Sequence, residues 1–317
     1  MILRNILNRI SKGWQLAYYF YSDYRFYKKH YLGASISDED HLSARIMLVM
    51  HQLEKGMSFT NSKREFGGEK AKNLVLMIRT CISTYGVNDA CKIAINVLHE
   101  YIKRDNATHN AEILKMINSL CTEYDELIND GYAGVKLISE PPVFNKVLIK
   151  EFFNSRSSVR EYSDMPVMES EFKEALSFAS CTPSACNRQA SRVHFFNTKA
   201  MIKRMIENQL GNQGWCDNAS ACFVVTVNES YFGGGYERHE AFIDGGLYAM
   251  NFVYGLHLNH VATCFKMFVR EPKREKEFKK IANIPENEIP IILILAGHYK
   301  DAQVASPKSV RINLTEQ

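Results

Sequence analysis

Two short polar segments carry the residue types most suited to chemistry. The arginine segment, residues 156–163, contains Arg156, Ser157, Ser158 and Arg160 and directly follows an apolar stretch typical of a helix. Guanidinium groups and hydroxyls match phosphate oxygens in charge and in hydrogen-bond geometry. A solvated surface or a helix cap is the ordinary alternative for one such cluster. We therefore interpret this segment together with a second polar segment about 20 residues further along the chain.

The turn segment, residues 183–189, begins at Pro183 and ends at Gln189. It is rich in short polar side chains, and proline at its start favours a turn. Such a turn can present backbone amides, hydroxyls and carboxamides to a polar heterocycle. A strand is predicted immediately after it.

The order and spacing of the two segments resemble the FMN-dependent nitroreductase family, and the resemblance runs from near Leu148 to the last residues, about half of the chain. It implies an α+β fold, a nitroreductase-like α/β sandwich with a central mixed sheet. It also implies a homodimer that binds FMN in a crevice between two intertwined subunits. No GxGxxG sequence follows a first strand, which disfavours a Rossmann fold.

By this resemblance, the arginine segment holds the phosphate and ribityl end of FMN. Arg160 is the expected catalytic residue beside the N1/O2 edge of the flavin, where a cation stabilises the charge of the reduced ring. The turn segment packs on the ring bound by the other subunit. The full set of expected cofactor-binding residues is Arg156, Ser157, Ser158, Arg160, Pro183, Ser184, Ala185, Asn187, Gln189, Asn212, Ala262, Thr263, Lys308 and Arg311.

Two positions depart from the family pattern. Ala190 and Ser191 replace a Pro-Trp pair, which changes the expected pocket wall. Residues 260–265 lack the two glycines of the corresponding loop, so a close backbone approach to the flavin is in question there. Ala262 and Thr263 remain as amide donors. Cys186 and Cys264 are interpreted as packing residues rather than redox thiols.

The resemblance implies an NAD(P)H-dependent flavin oxidoreductase. Electrons pass through flavin N5 to a flat acceptor, a nitroaromatic or a quinone, by a ping-pong mechanism. Two alternatives stay open. One keeps the fold but changes the chemistry to dehalogenation, azoline oxidation or flavin fragmentation. The other is a partner-activated, weakly catalytic flavoprotein.

Composition limits the class of protein. The chain has 317 residues, 46% hydrophobic and 23% charged, and a net charge of +4, which gives no reason to expect nucleic-acid binding. Eight cysteines without a CxxC pair indicate reduced thiols and a cytoplasmic protein, and no metal site is predicted. No apolar run is long enough to cross a membrane, and the protein is expected to be soluble.

The clearest break in the sequence is Pro141-Pro142, which places a domain boundary near residue 140. Residues 1–140 form the predicted all-helical extension, and residues 141–317 form the FMN-binding domain. In the extension, apolar spacing predicts helices that begin near residue 38 and over 70–85, 88–102 and 111–127. In the domain, we expect strands over 192–197, 221–227 and 289–296. Residues 242–258, apolar on all sides, predict a fully buried helix.

Two features of the helical extension are candidates for a functional role. Residues 1–32 mix basic and aromatic side chains, with Trp14, Tyr18 and Tyr21 on one helical face. We expect this face to pack on the rest of the protein or on a second subunit, and contact with anionic lipid or a membrane-bound partner is the alternative. His51 and Glu54 share a helical face, and a hydrogen bond to the following Arg- and Gly-containing loop is favoured over a metal site.

Overall fold

The computed structural model describes residues 2–34, 38–59, 65–104, 107–210, 218–301, 304–307 and 309, with side chains from residue 11 onward. Its helices are α1 Ile2–His30, α2 Glu39–Met57, α3 Gly68–Tyr85, α4 Asp89–Ile102, α5 Ala111–Glu123, α6 Lys146–Ser155, α7 Glu169–Ala179, α8 Lys199–Glu207, α9 Glu240–Leu258 and α10 Pro272–Ala282. Its strands are β1 Ser191–Phe196, β2 Ala221–Asn228, β3 Val261–Met267 and β4 Glu288–His298.

Helices α2 to α5 share one apolar core, so this part of the extension is helical as predicted. Short polar side chains cap the helix starts. Asp38 accepts a hydrogen bond from the His41 amide, and Asn88 and Asn110 do the same for α4 and α5. The last helix is shorter than expected. It ends at Glu123, and the predicted remainder of the helix contains a short 3₁₀ turn.

The four strands form one sheet in the order β1-β2-β4-β3, with each neighbouring pair antiparallel. A mixed sheet is expected from the sequence. In the structure, the parallel part of the sheet is a single bridge between Ser158 and Thr263. The register between β2 and β4 shifts at Thr226, which lies opposite Pro290. Proline has no N–H to donate to the sheet ladder. A central strand therefore tolerates proline only at an irregularity such as this register shift.

Alternate residues of β2 face opposite layers, which makes the domain a sandwich. Cys222 and Val224 pack with α8 and α10 on one face, whereas Phe223 and Val225 pack with α7 and α9 on the other. A strand covered on both faces has a continuous apolar sequence, as residues 221–225 do. The predicted α+β fold is confirmed.

Helix α9 differs from the sequence-based expectation. One side packs on the sheet through Phe252, Val253 and Leu256, but Ile243 and Leu247 on the other side are 53% and 49% exposed. The prediction of a fully buried helix is therefore wrong for the single chain. The exposed side is as apolar in sequence as a side that faces the core.

The extension contacts the domain through the ends of α1 and α2. Phe26, Leu32 and Ala44 join an apolar cluster with Phe232 and Ile289 of the domain. The boundary near residue 140 stays a prediction. Among the described residues, no helix combines the length and apolar character that a membrane crossing requires.

Candidate functional site

The edge of strand β3 positions the arginine segment. Helix α6 ends at Ser155, and Arg156 takes an extended conformation. The chain then runs beside β3, where the Val159 amide donates to the Thr263 carbonyl at 3.0 Å. Because Val159 is buried and anchors this stretch, its neighbours Ser158 and Arg160 are held half-buried at the sheet edge.

Three cations converge beside Cys264. Burial raises the pKa of the Cys264 thiol, and the charges of Arg160, Arg156 and Lys266 oppose that rise. Both arginines therefore lie close enough to Cys264 for their charges to act on its thiol. The Arg160 guanidinium donates to the Ser158 carbonyl at 3.3 Å, and the Lys266 ammonium donates to the Leu210 carbonyl at 2.7 Å. Their summed charge makes this edge suited to an anionic group.

The end of α9 lies close to Arg156. Burial lowers the pKa of His257, and the charge of Arg156 lowers it further, so the neutral imidazole is favoured. Its Nε2 lies 2.8 Å from the Ser155 hydroxyl, directly before the arginine segment. His257 was not predicted from the sequence, because a lone histidine near a helix end carries no distinguishing pattern.

Residues 304–307 pass over the arginine segment. The Ser306 hydroxyl donates to the Ser158 carbonyl at 3.3 Å, which brings this part of the chain back to the expected phosphate site. Lys308 and Arg311 lie outside the described residues, as does Asn212.

Strand β3 holds the two remaining predicted amide donors. Ala262 lies opposite Gly297 in the ladder with β4, and Thr263, paired with Ala296, uses its carbonyl to accept from Val159. Both side chains are buried. His260, just before the strand, has φ of 57°. This is the left-handed conformation that glycine favours, so a histidine adopts it here in place of a glycine.

The turn segment has an unusual backbone. Cys186, Asn187 and Gln189 have φ of 52°, 51° and 54°, three left-handed residues within four positions. Non-glycine residues rarely adopt this conformation, and such strain concentrates at functional sites. The surrounding structure must therefore hold this turn in place.

Two buried charged side chains hold the turn. Asp244 of α9 accepts from the Ala185 amide through both oxygens, at 3.0 and 3.2 Å. Arg188 is 1% exposed, donates to the Ala185 carbonyl at 2.9 Å and forms a two-pronged pair with Glu237 at 2.8 and 3.1 Å. Sequence reasoning missed both residues. Asp244 could have been found, because a carboxylate inside an apolar helix needs a partner.

A cavity of about 160 Å³ lies against this turn. Pro183, Ser184 and Gln189 line it together with Asp244 and Tyr248 of α9. The Ser184 hydroxyl accepts from the Gln189 amide at 3.0 Å, which closes the turn at the cavity wall. Three of the predicted residues thus line one concavity.

The arginine segment and the turn segment lie at opposite ends of α9. Asp244, in its second turn, contacts the turn segment, whereas His257, in its last turn, contacts Ser155. Thirteen residues at a rise of 1.5 Å separate these contacts by about 20 Å. A single chain therefore does not bring the two predicted halves of the site together.

The other predicted pair lies in the extension. His51 Nδ1 is 3.7 Å from Glu54 Oε2, so the two side chains share a face as expected. Glu54 accepts from the Gly134 amide, and burial raises the pKa of its carboxyl. The predicted bond to the loop after α2 stays a prediction, because Arg64 lies outside the described residues. Elsewhere, His99, Glu100 and Asp130 lie close together, but the Lys103 ammonium pairs with both carboxylates. Neither group supports a metal site.

The fold and the cation cluster define an α+β domain able to hold an anionic cofactor at the edge of its sheet. Residues 154–298, just under half of the chain, match the sequence model of the Nitroreductase family. The family match confirms the predicted class of protein, an oxidoreductase, but not its substrates. A search of curated protein sequences finds no match.

Solved structures similar to the chain include three bacterial proteins. The hypothetical oxidoreductase YcnD of Bacillus subtilis is 21% identical, covering 55% of this chain and 75% of its own, with a TM-score of 0.47. An FMN-dependent nitroreductase of Clostridium difficile is 15% identical, covering 52% and 98%, with a TM-score of 0.43. A nitroreductase-family protein of Streptococcus pneumoniae is 14% identical, covering 53% and 99%, with a TM-score of 0.45.

Proposed function

We propose that two copies of the chain bind FMN between them and use it to pass electrons from NAD(P)H to a flat organic acceptor of the nitroaromatic or quinone type. The observation that carries this proposal is the placement of Arg156 and Arg160 beside the edge of β3, in the part of the chain that matches the Nitroreductase family. Arg156 fits the dianionic phosphate of FMN in charge and in hydrogen-bond type, and Arg160 supplies the positive charge that the reduced ring requires.

In this proposal, Arg156, Ser157 and Ser158 hold the phosphate and ribityl end. Arg160 is the fixed cation near the edge of the ring that becomes negative on reduction. When bound, FMN supplies two-electron chemistry, accepting hydride from a reduced nicotinamide and passing electrons onward. The protein's own part is to bind, orient and supply positive charge. Ala262, Thr263, Asn212, Lys308 and Arg311 stay proposed contacts.

The partner chain would supply the turn segment, with Pro183, Ser184, Ala185, Asn187 and Gln189 against the flavin ring. The spacing along α9 supports this arrangement, because about 20 Å separates the two halves within one chain. Asp244 and Arg188 would act as positioning residues that hold the turn in its left-handed conformation.

An apolar surface is available for the second copy. Val147 and Leu148 of α6 are 65% and 60% exposed, and Ile243 and Leu247 of α9 are about half exposed. The two helices contact each other through Phe153 and Tyr254, and monomeric proteins rarely expose large apolar patches to water. Covering them supports a homodimer with a two-fold axis, in which each copy contributes to both sites.

The cell compartment is proposed to be the cytoplasm. The seven described cysteines form no disulfide, in keeping with reduced thiols. Nothing in the geometry of the described residues chooses between NADH and NADPH, and both donors belong in the first assay. Anaerobic addition of each to the FMN-reconstituted protein should bleach its visible absorption.

A subunit-mixing experiment tests the shared site. Arg160→Ala removes a cation from one half, and Ser184→Trp blocks the cavity of the other half. Each variant alone should lose NAD(P)H oxidation. Arg204→Ala, an exposed arginine on α8, is the matched control and should retain it.

Unfolding and refolding the two variants together should restore about a quarter of wild-type activity. Half of the randomly formed dimers would pair the variants and carry one intact site of two. A mixture that forms mixed dimers yet stays inactive would contradict the shared site. Wild-type protein that takes up no FMN would contradict the proposed function itself.

A further inference from the structure

Helix α1 is fixed to the domain along one side of its second half. Tyr27 donates to the Gly234 carbonyl at 2.6 Å, and Asp23 pairs with Arg270 at 3.3 Å. Lys279 places its ammonium 4.6 Å from the centre of the Phe26 ring. His30 is buried at the end of the helix. These contacts determine which side of α1 faces away from the domain.

The side facing away is aromatic. Trp14, Tyr18, Tyr21 and Tyr24, spaced by four, three and three residues, form what we term the aromatic face of α1. Trp14 is 72% exposed and the three tyrosines are about half exposed. The expected packing of this face on the rest of the chain is therefore not found among the described residues.

Basic residues share that face. Arg25 and Lys28 are exposed one turn after Tyr21 and Tyr24, and the Lys28 ammonium lies 5.9 Å from the centre of the Tyr24 ring. Residues 1–34 contain six Lys or Arg and one Asp, a charge of +5, whereas the whole chain carries +4. The remaining residues therefore sum to −1, and the excess positive charge of the protein belongs to this one helical segment.

We propose that the aromatic face of α1 lies on an anionic lipid surface. Tryptophan and tyrosine favour the membrane–water interface, because their rings are apolar and their polar tips stay hydrated. The adjacent arginine and lysine side chains can reach lipid phosphates, and basic residues are attracted to anionic leaflets. The contact would hold the domain beside the bilayer through helix α1.

The same observations argue against a second copy as the occupant. Pairing two segments of +5 brings like charges together without an acidic partner. Aromatic side chains with polar tips also suit a wet boundary better than a dry helix seam, which favours branched aliphatic residues. The inference does not depend on the proposed redox function.

The test uses the full chain and vesicles of phosphatidylcholine, with or without phosphatidylserine. Wild type should co-sediment with the phosphatidylserine vesicles and be released as salt is raised. Trp14 and Trp215 are the two tryptophans, so a Trp215→Phe background reports on Trp14. Its fluorescence should shift to the blue on binding.

Two variants separate the contributions. Tyr18→Ser/Tyr21→Ser/Tyr24→Ser should abolish binding, whereas the control Tyr85→Ser/Tyr132→Ser/Tyr236→Ser, also at exposed tyrosines, should bind as wild type. Arg25→Gln/Lys28→Gln should weaken binding to anionic vesicles by about 25-fold, at roughly fivefold per basic residue.

Three outcomes would overturn the proposal. The first is equal binding to neutral and anionic vesicles, and the second is unchanged binding of the first triple variant. The third is an absence of vesicle binding combined with self-association that the same triple variant removes, since that result would assign the aromatic face to a second copy.

Discussion

Replacing Arg188 tests whether a buried ion pair organises the turn segment. Its side chain is 1% exposed, bridges the carbonyls of Ala185 and Tyr231 at 2.9 and 2.7 Å, and pairs through two nitrogens with Glu237. The guanidinium also lies 5.0 Å from the centre of the Phe232 ring. Arg188→Met keeps an unbranched apolar stem but removes every one of these polar contacts.

The magnitude depends on the burial of the two partners. Breaking a buried pair by removing one member costs about 3–5 kcal/mol, because the other charge is left without its partner. The Glu237 side chain is 20% exposed and still accepts from the Gly233 amide at 2.6 Å, so part of its charge stays compensated. We therefore expect the free energy of unfolding to fall by about 3 kcal/mol, the lower end of that range.

The assay is urea unfolding followed by circular dichroism, together with FMN titration of the folded protein. Arg238→Met is the matched control, because Arg238 is exposed and makes one hydrogen bond, to the Gly235 carbonyl at 3.0 Å. It should change stability by less than about 0.5 kcal/mol. FMN affinity should fall with Arg188→Met and not with the control.

The double variant Arg188→Met/Glu237→Gln gives the coupling between the partners. Since the second change then removes a charge that no longer has its partner, the double variant should lose less than the sum of the single variants. If Arg188→Met unfolds within about 1 kcal/mol of wild type and binds FMN equally well, the positioning role of Arg188 is wrong.

Two further changes probe the core. Burial raises the pKa of Glu229 from 4.5 to about 7, so the folded state binds the extra proton and stability falls as pH rises between those values. Relative to Glu229→Gln, wild type should lose about 2–3 kcal/mol of unfolding free energy between pH 5 and 8, and parallel pH profiles would contradict this. A Cβ at Gly255 would lie 2.7 Å from the Ala175 backbone, so Gly255→Ala should lower stability by about 1–3 kcal/mol. Gly246→Ala in the same helix has open space and should stabilise by up to about 1 kcal/mol, and equal melting temperatures for the two variants would refute the steric reasoning.

Local chemistry made much of the fold predictable. The run over residues 221–225 is apolar because the strand is covered on both faces, and the structure places it at the centre of the sandwich. Helices α4 and α5 begin where the apolar spacing predicts, and Asn88 and Asn110 cap them. The arginine segment follows a helix and lies at a sheet edge, where its cations converge.

What could not be predicted depends on contacts distant in sequence. Arg188 looks like an ordinary surface arginine until Glu237, 49 positions later, folds against it. The end of the predicted helix over 111–127 was missed because the chain tightens after Tyr124, which no proline or glycine announces. Helix α9 was misjudged for another reason: an exposed apolar side and an apolar side facing the core have the same sequence pattern.

The geometry of α9 links that error to the proposed site. Ile243, Leu247 and Leu258 follow one helical side at spacings of four and eleven residues, and all three are exposed. The part of this side between Asp244 and His257 could pack against the same part of α9 in a second chain related by a two-fold axis. Two antiparallel copies of α9 would then set the turn segment of each chain near the arginine segment of the other. In a single chain, the length of α9 separates the arginine segment from the turn segment. In an antiparallel pair of α9 helices, the arginine segment of one chain would lie near the turn segment of the other. In the proposed dimer, the apolar surface and the divided site would therefore be two consequences of one arrangement.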